Sequence, residues 1–184
     1  MKLGSKLGSI EGVVVKNLLS HQDSRGFFRE IVRSTDEIFE MGRFGQWSHS
    51  LMAKDTVKAW HFHHLQSDWW YIPIGLGHTV LIDSRKNSPT YGQRMEFYMG
   101  SENVGDKVAE QLLVRIPPGV LHGVKVLSDM AHLFYITSET YNPQDEGRIP
   151  FNSPEIDWNW GNPEQLIVAP RDTVLHIPPY DLQY

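Results

Sequence analysis

The stretch that decides the fold is Lys58-Ala59-Trp60-His61-Phe62-His63-His64. It has the apolar and aromatic content of a buried β-strand, yet it holds three histidines within four residues. Successive side chains of a strand point to opposite faces, so His61 and His63 share one face while Trp60, Phe62 and His64 take the other. Burying two unpaired imidazoles is costly, so the pair indicates a site for proton transfer or for a metal. Two hydrogen-bonded core histidines are the structural alternative.

On either side of this strand, short apolar runs alternate with turns. The predicted strands are residues 10–15, 25–32, 46–52, 57–63, 69–74, 78–83, 94–99, 111–116, 123–127 and 132–137. Pro73 predicts an edge position or a bulge in its strand. One helix is predicted over residues 34–42, capped by Ser34 or Thr35 and ended by Gly42. Strands of this length and spacing are typical of an all-β sandwich or barrel.

The length of 184 residues and the hydrophobic content of 40% predict one domain over residues 1–184. We divide it into N-terminal strands (10–33), a barrel core (46–137) and a C-terminal cover (142–184). The net charge of −5 is scattered, which argues against nucleic acid or an anionic membrane as a partner. The chain has no cysteine, which excludes disulfides, thiolate metal sites and cysteine nucleophiles. Without an apolar run of signal-peptide or membrane-spanning length, we expect a cytoplasmic protein.

Two short signatures resemble the cupin motifs. The first is His61-x-His63 followed by Asp68 and Gly75, and the second is Pro117-x-Gly119-x-x-His122. The resemblance implies a jelly-roll barrel with short peripheral helices. It also implies a possible divalent transition-metal site whose ligands are His61, His63, Asp68 and His122, because imidazoles and a carboxylate suit Fe, Mn, Ni, Cu or Zn.

A longer series of motifs is similar to the dTDP-4-dehydrorhamnose 3,5-epimerases, from about residue 10 to about residue 172. The motifs include Asp23-x-Arg25-Gly26-Phe27-Phe28-x-Glu30, Gln46-x-x-His49-Ser50, Ile116-Pro117-x-Gly119-x-x-His122-Gly123, Tyr141-Asn142-Pro143 and Asn152-x-Pro154-x-Ile156-x-Trp158. The resemblance implies a homodimer that needs no cofactor and binds a nucleotide-linked 4-keto-6-deoxy sugar, with dTDP as the expected nucleotide.

The same resemblance implies roles for individual residues. His61 falls on the position of the base that removes a proton beside the ketone, and Tyr135 on that of the acid that returns it. The substrate-binding positions are Arg25, Phe28, Glu30, Gln46, Lys58, Tyr71, His122 and Tyr141.

Three departures from the family pattern leave alternatives open. Ser153 stands where an aspartate partner for the base is expected, and Tyr71 where a lysine that stabilises the enolate is expected. Lys58 replaces an arginine and loses its forked geometry. The chain is therefore an epimerase with altered catalytic residues, a metal-dependent cupin, or a non-catalytic protein that binds a sugar nucleotide. We expect the first two to exclude each other, because His61 cannot hold a metal and act as a free base.

Overall fold

The computed structural model describes residues 2–39 and 43–178, and strands make up most of its regular structure. The strands, numbered in chain order, are β1 (Lys6–Leu7), β2 (Val14–Asn17), β3 (Ser20–Asp23), β4 (Gly26–Arg29), β5 (Gln46–Ala53), β6 (Thr56–His63), β7 (Asp68–Ile74), β8 (Leu76–Asp83), β9 (Gln93–Gly100), β10 (Leu112–Ile116), β11 (Val120–Val126), β12 (Met130–Thr137), β13 (Glu146–Arg148) and β14 (Ile167–Val168).

The strands form two large sheets and one hairpin. The larger sheet has the order β1-β9-β8-β11-β6-β13, with β14 also paired to β6, and the smaller has the order β2-β10-β7-β12-β5. Strands β3 and β4 pair only with each other. All pairs are antiparallel except β1 with β9 and β14 with β6. The prediction of an all-β, cupin-like fold is confirmed.

Apolar side chains from both large sheets fill the space between them. This core includes Ile72, Leu81, Met99, Val114 and Leu133. A second cluster lies on the outer face of the larger sheet, where Trp60 packs against Trp160 of the C-terminal segment with ring centroids 5.0 Å apart. The C-terminal residues therefore cover the outside of the sheet that carries the histidine strand.

The helix predicted over residues 34–42 is reduced to one 3-10 turn, Glu37–Phe39, and residues 40–42 lie outside the described residues. Tertiary contacts decide this outcome. The carboxylate of Asp36 accepts from the backbone N–H of Arg33 and from Lys16, and the carbonyl of Ile38 accepts from the indole of Trp69 at 2.7 Å. In the described residues, no helix is long and apolar enough to cross a bilayer.

Pro73 lies in β7, which is a central strand between β10 and β12. The register of β7 against β12 shifts between His132, which faces Ile74, and Phe134, which faces Tyr71. The sequence offered an edge or a bulge, and the structure has the bulge.

Candidate functional site

A cavity of about 130 Å³ opens between the two large sheets. Apolar side chains of the core, among them Val124 and Leu133, close its inner end. Its polar lining comes from several strands and from the C-terminal segment: Gln46, Ser50, Lys58, His61, His63, Gln66, Asp68, His122, Tyr135, Thr137, Tyr141, Asn142, Glu146 and Arg171. Eight of the twelve candidate site residues named from the sequence line this cavity: Gln46, Lys58, His61, His63, Asp68, His122, Tyr135 and Tyr141.

A bulge in β6 brings Lys58 onto the same face as the two histidines. Opposite β6, His122 pairs with His61 but Val124 pairs with Lys58, so three steps along β6 match two steps along β11. Lys58, His61 and His63 therefore all line the cavity, while Ala59, Trp60 and Phe62 pack in the outer cluster. The predicted shared face of His61 and His63 is confirmed.

His61 forms a close pair with a buried aspartate. Its Nε2 lies 2.8 Å from Oδ1 of Asp172, a residue that is 1% exposed. Asp172 belongs to the 3-10 turn Pro170–Thr173, and its carbonyl accepts from the backbone N–H of Phe151 at 2.9 Å. Such a carboxylate orients the ring and offsets the positive charge that the ring gains on taking a proton.

This pair corrects the expectation that the base has lost its partner. Ser153 lies in a separate surface depression beside Phe151 and Trp160, away from His61. Asp172, 111 residues beyond His61, holds the partner position instead. The sequence offered only a weak signal for it, the charged pair Arg171-Asp172 in a segment otherwise rich in proline and apolar residues.

Tyr135 lines the cavity from β12 in the smaller sheet, whereas His61 lines it from β6 in the larger sheet. The two side chains therefore stand on opposite walls. Tyr141 is exposed at the cavity, and its backbone N–H donates to Oε1 of Gln46 at 3.2 Å. A ligand in the cavity would lie between a histidine and a phenol.

Two cations also border the cavity. Lys58 Nζ donates to Ser50 Oγ at 2.6 Å, which links the two sheets across the cavity. Burial lowers the pKa of Lys58, and the charge of nearby Arg171 lowers it further. Arg171 is more exposed and lies with its Nε 3.8 Å from Oδ1 of Asp172. These groups give the site positive charge for an anionic ligand.

A second polar cluster, beside the His61–Asp172 pair, consists of His63, Asp68 and His122. One ligand-type atom from each of the three lies within 4.8 Å of the others. Burial raises the pKa of Asp68, whose carboxylate accepts from Gln66 at 2.7 Å and from the indole of Trp70 at 3.1 Å. Burial, together with the charges of His63 and His61, holds the pKa of His122 well below its usual value.

Four other predicted site residues lie outside this cavity. Arg25, Phe28 and Glu30 belong to or follow the β3–β4 hairpin, where they are exposed; Arg25 pairs with Asp23, and Glu30 with Arg33.

Tyr71 is the fourth. Asp68 and Trp70 point into the cavity from β7, so alternation puts Tyr71 on the outer face. Its hydroxyl accepts from Arg29 at 2.8 Å. The expectation that Tyr71 stands beside the base is therefore corrected, and Asp68 is the β7 residue that occupies the wall there.

Comparison with known proteins agrees with this architecture. The family model for dTDP-4-dehydrorhamnose 3,5-epimerase matches residues 8–177. The spore coat polysaccharide biosynthesis protein SpsL of Bacillus subtilis (strain 168) is 41% identical over 154 residues, which cover 82% of this chain and 96% of that protein. The dTDP-4-dehydrorhamnose 3,5-epimerase of Escherichia coli (strain K12) is 30% identical over 169 residues, covering 89% of this chain and 88% of that protein.

A solved structure extends the likeness to three dimensions. The dTDP-6-deoxy-D-glucose-3,5-epimerase RmlC from Legionella pneumophila Philadelphia 1, in complex with dTDP-4-keto-L-rhamnose, aligns with a TM-score of 0.77 and 27% identity. The alignment covers 91% of this chain and 88% of that one. With a family match over nearly its whole length and relatives that share both sequence and fold, this chain belongs to the dTDP-4-dehydrorhamnose 3,5-epimerase family.

Proposed function

We propose that this protein is an epimerase of a dTDP-linked 4-keto-6-deoxy sugar, inverting a carbon next to the ketone. The observation that carries the proposal is the His61–Asp172 pair on one wall of the cavity with Tyr135 on the opposite wall. Inversion of a carbon acid needs a base on one side of the sugar ring and an acid on the other.

The proposed reaction has two proton transfers. His61 takes the proton from the carbon beside the ketone, and the electron pair of that C–H bond moves to the ketone oxygen as an enolate. Tyr135 then donates its hydroxyl proton to the opposite face of the carbon, and solvent restores both side chains. Asp172 keeps His61 in position and offsets the charge of the imidazolium.

The enolate oxygen and the nucleotide both require positive or hydrogen-bonding groups. Lys58 is the cation on the same strand as His61, and its bond to Ser50 fixes its ammonium group at the cavity. Arg171 is more exposed and suits the diphosphate. His122 directs Nδ1 at the carbonyl of Val120, 3.1 Å away, so its remaining nitrogen presents a lone pair rather than a donor.

Solvent exchange tests the proposal directly. In D2O, the protein incubated with a dTDP-4-keto-6-deoxy-hexose should place deuterium at C3 or C5, read by NMR or mass spectrometry. His61→Asn should abolish the exchange. The matched control is His49→Asn, because His49 stacks on Phe134 on the exposed face of β5, away from the cavity. Absence of exchange with ligand-induced thermal stabilisation would instead favour the non-catalytic binding alternative.

We also propose that the protein is a homodimer in which the β3–β4 hairpin of one chain reaches the cavity of the other. Support comes from the exposed positions of Arg25 and Phe28, remote from their own cavity. An apolar groove beside the hairpin adds to it, because Phe44 and Trp47 in its lining are 64% and 67% exposed. Apolar patches of this kind mark interaction surfaces.

Mass determination by light scattering tests the assembly, with Trp47→Glu expected to shift the dimer toward monomer. A shared site predicts complementation: mixing His61→Asn chains with Phe28→Ala chains should restore exchange that neither variant has alone. A monomeric, fully active wild type would contradict the proposal.

We also propose a cytoplasmic location. Cell fractionation with an antibody to the protein tests it.

A further inference from the structure

The three residues His63, Asp68 and His122 converge from three strands on one side of the cavity. They stand at the end of β6, the start of β7 and within β11. All three line the cavity, and Asp68 and His122 are each 4% exposed. Two imidazoles and a carboxylate make a donor set that divalent transition metals prefer.

The contacts behind the two rings turn one nitrogen of each ring toward this cluster. His122 uses Nδ1 toward the carbonyl of Val120, so Nε2 is the free nitrogen, 3.9 Å from Oδ2 of Asp68. His63 has Nδ1 3.7 Å from the carboxylate of Asp145, so its Nε2 points the other way. A carboxylate or a carbonyl behind a ligating imidazole is the usual arrangement in metal sites.

Asp145 is well placed for this supporting role. Its carboxylate accepts from the backbone N–H groups of His64, Leu65 and Gln66, so it is held rigidly, and the residue is 4% exposed. The Nδ1 atom of His63 is buried without a hydrogen-bond partner in the structure. A shift of a few tenths of an ångström toward Asp145 would satisfy it and fix the ring with Nε2 in the cavity.

A hydrogen-bond donor now sits between two of the three groups. The Nε2 amide of Gln66 lies 3.2 Å from Nε2 of His63 and 2.7 Å from Oδ1 of Asp68. Nε2 of His63 and Oδ1 of Asp68 thus both act as acceptors for the N–H groups of this one amide. A cation that displaced the Gln66 amide would satisfy the same two acceptors together with the lone pair of His122.

We propose that His63, Asp68 and His122 bind one divalent transition-metal ion. Ligand atoms about 2.1 Å from a tetrahedral ion lie about 3.4 Å apart, so the present separations of up to 4.8 Å close by about 1.4 Å on binding. His61 is not part of this cluster, whose mutually close ligand atoms belong to His63, Asp68 and His122, and it pairs with Asp172 instead. On this assignment the metal and the base use different imidazoles, so the two uses are compatible.

The site lies next to the proposed base. The His61 and His122 rings are 6.3 Å apart between centroids. An ion there would add positive charge for a ketone or enolate oxygen. Metal binding itself goes beyond the proposed function and does not depend on it.

The test is a titration of untagged, chelator-treated protein with Co²⁺ and with Zn²⁺, followed by calorimetry and, for Co²⁺, by visible absorption. We expect one ion per chain. His63→Ala and Asp68→Asn should each weaken binding at least about tenfold, while His61→Asn retains it. The double variant His49→Ala/His132→Ala is the control for surface binding, because those two rings contact each other at 2.9 Å on the exposed face.

Circular dichroism and thermal melting establish that each variant is folded, and either cavity variant alone suffices for the test. The proposal is overturned if folded wild-type protein binds neither ion. It is equally overturned if His63→Ala and Asp68→Asn bind as tightly as wild type. Binding is read without substrate, so one bound ion in a protein that shows no deuterium exchange would support the site and contradict only the proposed function.

Discussion

Replacing Asp172 with asparagine tests whether His61 is the base, because it alters the contact between Nε2 of His61 and Oδ1 of Asp172. The two side chains are joined at 2.8 Å, and Asp172 is 1% exposed, so solvent cannot take over its role. Asparagine has the same shape and keeps a neutral hydrogen bond to the ring. What it removes is the negative charge that faces the imidazolium formed on proton abstraction.

The size of the effect follows from that loss. Opposite unit charges about 4 Å apart in a partly solvated protein attract each other by about 4 kcal/mol, and a hydrogen bond to a charged group contributes about 1.5–3 kcal/mol. Because asparagine retains a neutral bond, we expect the barrier to proton abstraction to rise by about 2–3 kcal/mol. Exchange at saturating substrate should then slow by roughly 30- to 150-fold.

The assay measures deuterium uptake into a dTDP-4-keto-6-deoxy-hexose by wild type and by each variant separately. Asp129→Asn is the matched control, because Asp129 has a 96% exposed side chain whose ion pair with Lys54 is worth little. Substrate affinity should change little in Asp172→Asn, since the carboxylate faces the ring rather than the ligand. If Asp172→Asn exchanges within threefold of wild type while His61→Asn is inactive, Asp172 is not the partner of the base.

Two further predictions concern residues that do not contact His61, namely Asp83 and Tyr71. Burial would raise the pKa of Asp83, but bonds from Arg85, Ser88 and Thr90 lower it to about 2 from 3.8. Its stabilisation, about 2 kcal/mol, is therefore complete well above pH 3.8, falls to about half near pH 3 and disappears below pH 2; urea unfolding of wild type and Asp83→Asn at several pH values measures it. A pH-independent difference would contradict this origin. Tyr71→Phe should change exchange less than threefold and cost about 1 kcal/mol, because it removes only the bond from Arg29 on the outer face; a loss of exchange comparable to His61→Asn would refute that placement.

The sequence could predict the strands of the barrel because their side chains alternate over short distances. The same alternation correctly placed His61 and His63 on one face. It failed for Lys58, since strict alternation would put that residue opposite His61, and only the bulge between β6 and β11 returns it to the cavity. Bulges depend on the partner strand, so one strand's pattern cannot reveal them.

Tyr71 and Asp172 show two other limits. Tyr71 stands at the sequence position where the family pattern has a lysine, but the turn between β6 and β7 restarts the alternation at Asp68. Asp172 contacts His61 across 111 residues, from a segment of prolines and 3-10 turns that has no periodic pattern. Contacts of this kind are fixed by tertiary packing and leave little local trace in the sequence.

The position of Asp172 also bears on which histidine acts as the base and which histidines bind a metal. The cupin motifs predict His61 as the fourth ligand of the His63–Asp68–His122 cluster, and a metal-bound His61 could not serve as a free base. The ligand atoms that lie within 4.8 Å of one another belong to His63, Asp68 and His122, and His61 pairs with Asp172, so three ligands are available for an ion and one ring for proton transfer. Asp68→Asn and His61→Asn then have separable consequences: the first removes the ion while the base pair persists, and the second removes the base while the ion persists. If both variants lost metal binding and exchange together, the two clusters would form one functional unit and this division would be wrong.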